Sequence, residues 1–110
     1  MKLPNYTHCV IAEAKLTDYL LAVAHPDGAP KAKFLAGFGF PLDNSVALRV
    51  ALLVHAEFNE VIETRQTEFG TTFAVEGPLA SPDGRDPIVR VVWMIDIGTD
   101  TPRLITLVPA

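Results

Sequence analysis

The chain has 110 residues, 49% hydrophobic and 20% charged, with 9 Lys plus Arg against 13 Asp plus Glu, for a formal net charge of -4. That length suits one domain with a core of its own, the mean hydropathy of +0.27 excludes a disordered chain, and the acidic balance gives no chain-wide reason to bind nucleic acid. The single cysteine, Cys9, excludes an intramolecular disulfide framework and a Cys-based zinc site. Met1 to Tyr6 carry no export signal, and the most apolar stretch, Val46 to Ala56, is far short of the roughly 20 residues that span a bilayer. The expectation is a soluble cytoplasmic protein without a membrane partner.

The first half reads as helices. Leu16, Tyr19, Leu20 and Val23 share one helical face, which predicts a short helix near Ala14 to Val23. His25-Pro26-Asp27-Gly28 has the order of a type I turn, and Pro30 suits the first position of a second helix running to about Phe38. In that helix Phe34, Leu35 and Phe38 should face inward, with Gly39 as the stop. A third helix, capped by Asp43 or Asn44, should continue to about Phe58 with Ala47, Val50, Ala51, Val54 and Phe58 as its core stripe.

From Val61 the pattern changes to strands near Val61 to Glu68, Thr71 to Ala80, Pro87 to Ile97 and Arg103 to Val108, separated by short turn segments. Such connections favour an antiparallel meander, so the predicted fold is α+β, three helices followed by a four-stranded sheet. Val89, Val91, Trp93, Ile95 and Ile97 form the expected core face of the third strand, and Ile88, Arg90, Val92, Met94 and Asp96 the mixed face. The polar first strand should lie at an edge.

Several familiar chemistries lack their residues. His55-Ala56-Glu57 is half of a zinc deaminase signature whose other half needs two cysteines, and His8, His25 and His55 have no metal-ligand spacing. Gly37-Phe38-Gly39 is no dinucleotide loop, and no Gly-x-Ser-x-Gly is present. No metal and no cofactor is expected. The cluster with most chemistry is His25 to Lys33, where a turn feeds a helix N-terminus beside a histidine and two lysines and could receive an anion or phosphate. Lys31 falls beside the buried stripe. The alternative is that Lys31 snorkels to solvent and His25 only bonds the turn. Arg90 and Arg103, on neighbouring strands, could add two guanidinium groups to one sheet face with Thr106 nearby, or Arg90 could simply pair with Glu76 or Asp96.

Leu3-Pro4-Asn5, Lys15-Leu16-x-x-Tyr19-Leu20-Leu21, His25-Pro26-x-Gly28-x-x-Lys31-Ala32-x-Phe34, Val89-Arg90-x-x-Trp93-x-Ile95 and Pro102-Arg103-Leu104-x-Thr106 together resemble an uncharacterised bacterial domain family over nearly the whole chain. That family looks like the toxin modules at the ends of bacterial polymorphic toxins and also occurs as short free-standing proteins beside a small partner gene. The sequence departs from the family pattern at Ala29-Pro30, where basic or polar residues are frequent, and at Leu107-Val108-Pro109, which lacks an aromatic. The helices-then-meander layout is similar to that of barnase, colicin and RelE-like ribonucleases, which cleave RNA without metal. That layout and the residue clusters together give the leading expectation, a small metal-free ribonuclease-like toxin domain with His25 as general acid or base, Lys31 and Arg90 as catalytic cations, and Arg103, Thr106 and Gly28 holding phosphate. Its implied partners are RNA, a small antitoxin-like or immunity-like protein, and a second copy of the chain. The rival is a non-catalytic interaction module, supported by the acidic balance and by Leu48 and Leu52, which lie outside the expected core stripe of the third helix.

Overall fold

A computed structural model describes residues 1–110. After a 3-10 turn at Tyr6–His8, helix α1 begins as one α-helical turn, Glu13–Lys15, and continues as a π-helix over Leu16–Leu20. Helices α2 (Ala29–Gly37) and α3 (Val46–Phe58) follow, and then strands β1 (Glu60–Gln66), β2 (Gly70–Pro78), β3 (Ile88–Asp96) and β4 (Arg103–Pro109). The strands pair in chain order, all antiparallel, so the predicted α+β architecture is the observed one, with β1 at an edge. At the other edge β4 makes one isolated backbone bridge, to Val10, whose carbonyl accepts the Leu104 N–H at 3.0 Å. No helix is long and apolar enough to cross a membrane.

The sheet divides its residues by period two. Val89, Val91 and Trp93 of β3, Phe73 and Val75 of β2, and Leu104 and Leu107 of β4 lie in one buried cluster with Leu16 and Leu20 of α1, Leu35 of α2, and Leu48 and Leu52 of α3. All three helices therefore share one face of the sheet. The opposite face carries Thr72, Glu76, Arg90, Val92 and Met94, none of them buried. Ile95 packs at the margin of the core, and Ile97 lies beyond the strand end and is exposed, contrary to expectation.

Two helices differ from their sequence patterns. In α1 the π-turn closes a bond from the Leu21 N–H to the Leu16 carbonyl at 2.8 Å, and the helix ends at Leu20. Val23 therefore lies past the helix and is exposed rather than inward. In α3 the buried stripe is Leu48, Ala51, Leu52, His55 and Ala56, whereas the expected Val50, Val54 and Phe58 are exposed. Leu48 and Leu52 are core, not surface. The helix is apolar nearly all round, so spacing alone offers two stripes, and His55 makes the true one look polar. The N-cap is Ser45, which makes no side-chain cap bond, rather than Asp43 or Asn44; Asn44, one residue earlier, accepts the Val46 N–H at 3.0 Å.

In α2 the helix starts at Ala29, so Pro30 is its second residue rather than its first. Leu35 and Ala32 are fully buried, while Phe34 and Phe38 pack on each other at the core margin with ring centroids 5.0 Å apart. Gly39, with φ 95°, ends the helix in the left-handed conformation that glycine adopts without cost.

His55 donates from Nε2 to the Gly77 carbonyl at 3.2 Å, and its Nδ1 has no partner. Burial pushes its pKa below the ordinary 6.5, against the smaller opposing pull of the Gly77 and Val89 backbone. Because the folded value is the lower one, the unfolded chain binds the extra proton, so stability is complete above about pH 6.5 and falls as the pH drops below it. A melting series from pH 7.5 to 5.5 should lose up to about 1.4 kcal/mol per pH unit, and His55→Gln, which cannot titrate, should flatten that slope. An unchanged slope in the variant would place the titration elsewhere.

Candidate functional site

The turn before α2 is built around one ring nitrogen. His25 Nδ1 accepts the backbone N–H groups of Asp27 and Gly28, each at 3.0 Å, so this nitrogen carries no hydrogen and Nε2 does. Held this way the ring can donate a hydrogen bond from Nε2, but taking up a proton at Nδ1 would break both turn bonds. Gly28 is buried against the chain of α1, and any Cβ there would overlap the Tyr19 carbonyl. Gly28 is thus a close-packing glycine whose N–H is already taken. Gly28→Ala should cost about 2 kcal/mol or more in urea unfolding, since backbone must move; a variant as stable as the parent would contradict this close approach.

Lys31 is half-buried and donates from Nζ to the Leu107 carbonyl at 2.8 Å, tying α2 to the edge of β4. Beside this bond runs a groove lined by Asp27, Pro30, Lys31, Phe34, Leu107 and Pro109. The His25 ring does not line this groove; it stands edge-on to Tyr19 with centroids 5.2 Å apart and rings at 72°. The Tyr19 and Thr106 hydroxyls are 2.9 Å apart, so Tyr19 connects the His25 turn to β4. Lys33 is exposed.

The arginines lie on the open face. Arg90 stands opposite Glu76 on β2 and Val108 on β4, while Thr106, opposite Val92, is its diagonal neighbour on β4. Arg90 pairs with Glu76 at 3.3 Å and reaches Glu63 of β1 at 3.9 Å. Arg103 stands opposite Met94 on the same face and binds Asp96 from Nε at 2.7 Å and from its terminal nitrogen at 3.1 Å. That pairing holds the Asp96 carboxyl below the usual range and raises the Arg103 guanidinium further. The register thus brings Arg90, Arg103 and Thr106 to one face. His25, Gly28 and Lys31 sit around the adjoining edge, and both arginines are already in ion pairs.

The sequence offered Glu76 only as a neutralising partner. The register makes it a half-exposed carboxylate in the middle of the uncovered face, and the alternation Thr72, Ala74, Glu76 on β2 was the available signal. No three His, Cys, Asp or Glu side chains come together to hold a metal ion. Cys9 is half-buried at the core margin, where burial pushes its thiol up to about 11 and leaves little thiolate.

A sheet with all its helices on one face, and charged and hydroxyl side chains across the other, makes an α+β domain with one open sheet face. Residues 2–110 match the profile of a domain of unknown function, DUF6883, and the chain belongs to that family. No curated protein matches it. Among solved structures it is similar to a chain from the contact-dependent growth inhibition toxin–immunity protein complex of Klebsiella pneumoniae 342, with a TM-score of 0.73, 14% sequence identity, 94% of this chain covered and 95% of that one. At that identity the likeness is one of fold.

The Tyr19–Thr106 bond can be isolated. Tyr19→Phe and Thr106→Val should each cost about 1 kcal/mol, and the double variant no more than the worse single one, giving a coupling of about 1 kcal/mol in a thermal-melting cycle. Additive losses would mean that the hydroxyls stabilise separately.

Proposed function

We propose that the chain is the toxic module of a growth-inhibition pair and cleaves RNA without metal on the open face of the sheet. The observation that carries this reading is Arg90, set across from Glu76 and diagonal to Thr106 on a face no helix covers. Metal-free cleavage needs a base to take the proton of the ribose 2′-hydroxyl, cations to meet the charge that gathers on phosphorus, and room for an extended strand. Glu76 is the carboxylate for the proton. Arg90 and Arg103 stabilise the phosphate, and Thr106 holds a non-bridging oxygen. The 2′-oxygen then bonds to phosphorus, the bond to the 5′-oxygen breaks, and that oxygen takes a proton from water. His25 donates a hydrogen bond to the incoming phosphate rather than shuttling a proton, because its Nδ1 is committed to the turn. Lys31 keeps two ammonium hydrogens free at the adjoining edge. The fold likeness to a chain of a toxin–immunity complex supports the reading and suggests a small cognate partner protein.

A non-catalytic interaction module is the second reading, favoured by the ion pairs that already neutralise Arg90 and Arg103 and by the net charge of -4. Expression in a bacterial host separates the two. Purified protein should cleave transfer or total RNA in the presence of a chelator and slow growth when expressed alone. Arg90→Ala and Glu76→Gln should each lower cleavage at least about 100-fold, the size of a lost general base or charge-stabilising group, while moving stability by no more than about 1 kcal/mol. Protein that neither cleaves RNA nor slows growth would leave the interaction module as the function.

A further inference from the structure

Helix α3 turns an apolar stripe to solvent directly opposite its buried one. Val46, Val50 and Leu53 are 62%, 54% and 40% exposed, and Glu57 continues their line at the C-terminal end. The positions 46, 50, 53 and 57 follow the 4-3-4 spacing of a helix-pairing seam, and Tyr6 and Thr7 wall a groove beside it with Leu53, Val54 and Glu57. A helix apolar on both faces is normally covered on both.

We propose that a second copy of the chain covers this stripe, its α3 lying antiparallel across the first about a two-fold axis between Val50 and Leu53. The charges select that occupant. Arg49 sits near the N-terminus of α3 and Glu57 near its C-terminus, each opposing the dipole of its own helix. An antiparallel copy reverses both, setting each Glu57 at the partner's N-terminal end, toward Arg49, and pairing Val50 with the partner's Leu53. Arg49 already binds the Ile11 carbonyl and Glu13 through its two terminal nitrogens, so an incoming Glu57 would share a guanidinium that stays one-third exposed. A stripe that ends in Glu57, with Arg49 flanking its N-terminal half, is complementary to itself under two-fold symmetry. The contact is one helix wide, below the roughly 1,200 Å² of a standard interface, so the dimer forms by mass action rather than permanently. It lies on the helical side and leaves the open sheet face of both copies free, so it stands apart from the cleavage reading.

Sedimentation of the full chain from about 10 μM to about 1 mM tests this. The average mass should rise toward two chains. Val50→Glu should hold it at one chain with an unchanged melting midpoint, and Glu57→Lys should weaken association about tenfold by facing Arg49 with a like charge. In a Cys9→Ser background, a mixture of Val50→Cys and Leu53→Cys chains should oxidise to a mixed disulfide, whereas Val46→Cys should not cross-link to itself. A single-chain mass at every concentration, a dimer indifferent to Val50→Glu, or a self-linked Val46→Cys would each overturn the proposal.

Discussion

The strict alternation of β3 is the constraint from which the rest of the molecule follows. Val89, Val91 and Trp93 point to one side and require helices over them; Arg90, Val92 and Met94 point to the other and receive none. A one-residue slip would bury Arg90 among leucines and expose Trp93, at a cost of many kcal/mol. Register is therefore fixed by the same residues that build the core, and the open face is its by-product. Function can collect there because those positions have no packing duty.

The motif with the most distinctive spacing turns out to have a mechanical role. In His25-Pro26-x-Gly28-x-x-Lys31-Ala32, the histidine ring ties two turn N–H groups, the glycine lets the turn touch the Tyr19 carbonyl, the lysine clips α2 to the β4 edge, and the alanine is fully buried. Each of these contacts consumes a group that a catalytic reading would want free. What stays available is His25 Nε2 and part of the Lys31 ammonium. The motif thus shapes the turn and the adjoining β4 edge, and in the proposed reading the chemistry falls to Glu76 and Arg90 on the open face.

Element order, sheet topology, the burial of Trp93 and the edge position of β1 were legible in the sequence, because each depends on local alternation or turn residues, whereas the sequence left Arg90 open between Glu76 and Asp96 and the register decided for Glu76. The π-turn of α1 was not, since Leu16, Tyr19, Leu20 and Val23 fit an α-helix and nothing local marks a fifth-residue hydrogen bond. The inward face of α3 was not either. Its two stripes have similar apolar content, and the choice is made by Arg49 reaching Ile11 and Glu13 and by His55 reaching Gly77, contacts made over 22 to 38 residues. That Gly28 is needed for close approach rather than for an anion follows from the arrival of Tyr19, again a tertiary fact.

The account rests on the open face being where nucleic acid binds, and amide chemical-shift mapping with a short RNA carrying 2′-deoxy substitutions, which binds but cannot be cleaved, addresses that directly. Shifts should concentrate on Glu76, Arg90, Arg103, Thr106 and the adjoining His25 turn, and Arg90→Ala should abolish them. Shifts confined to α3, or none at millimolar RNA, would contradict it.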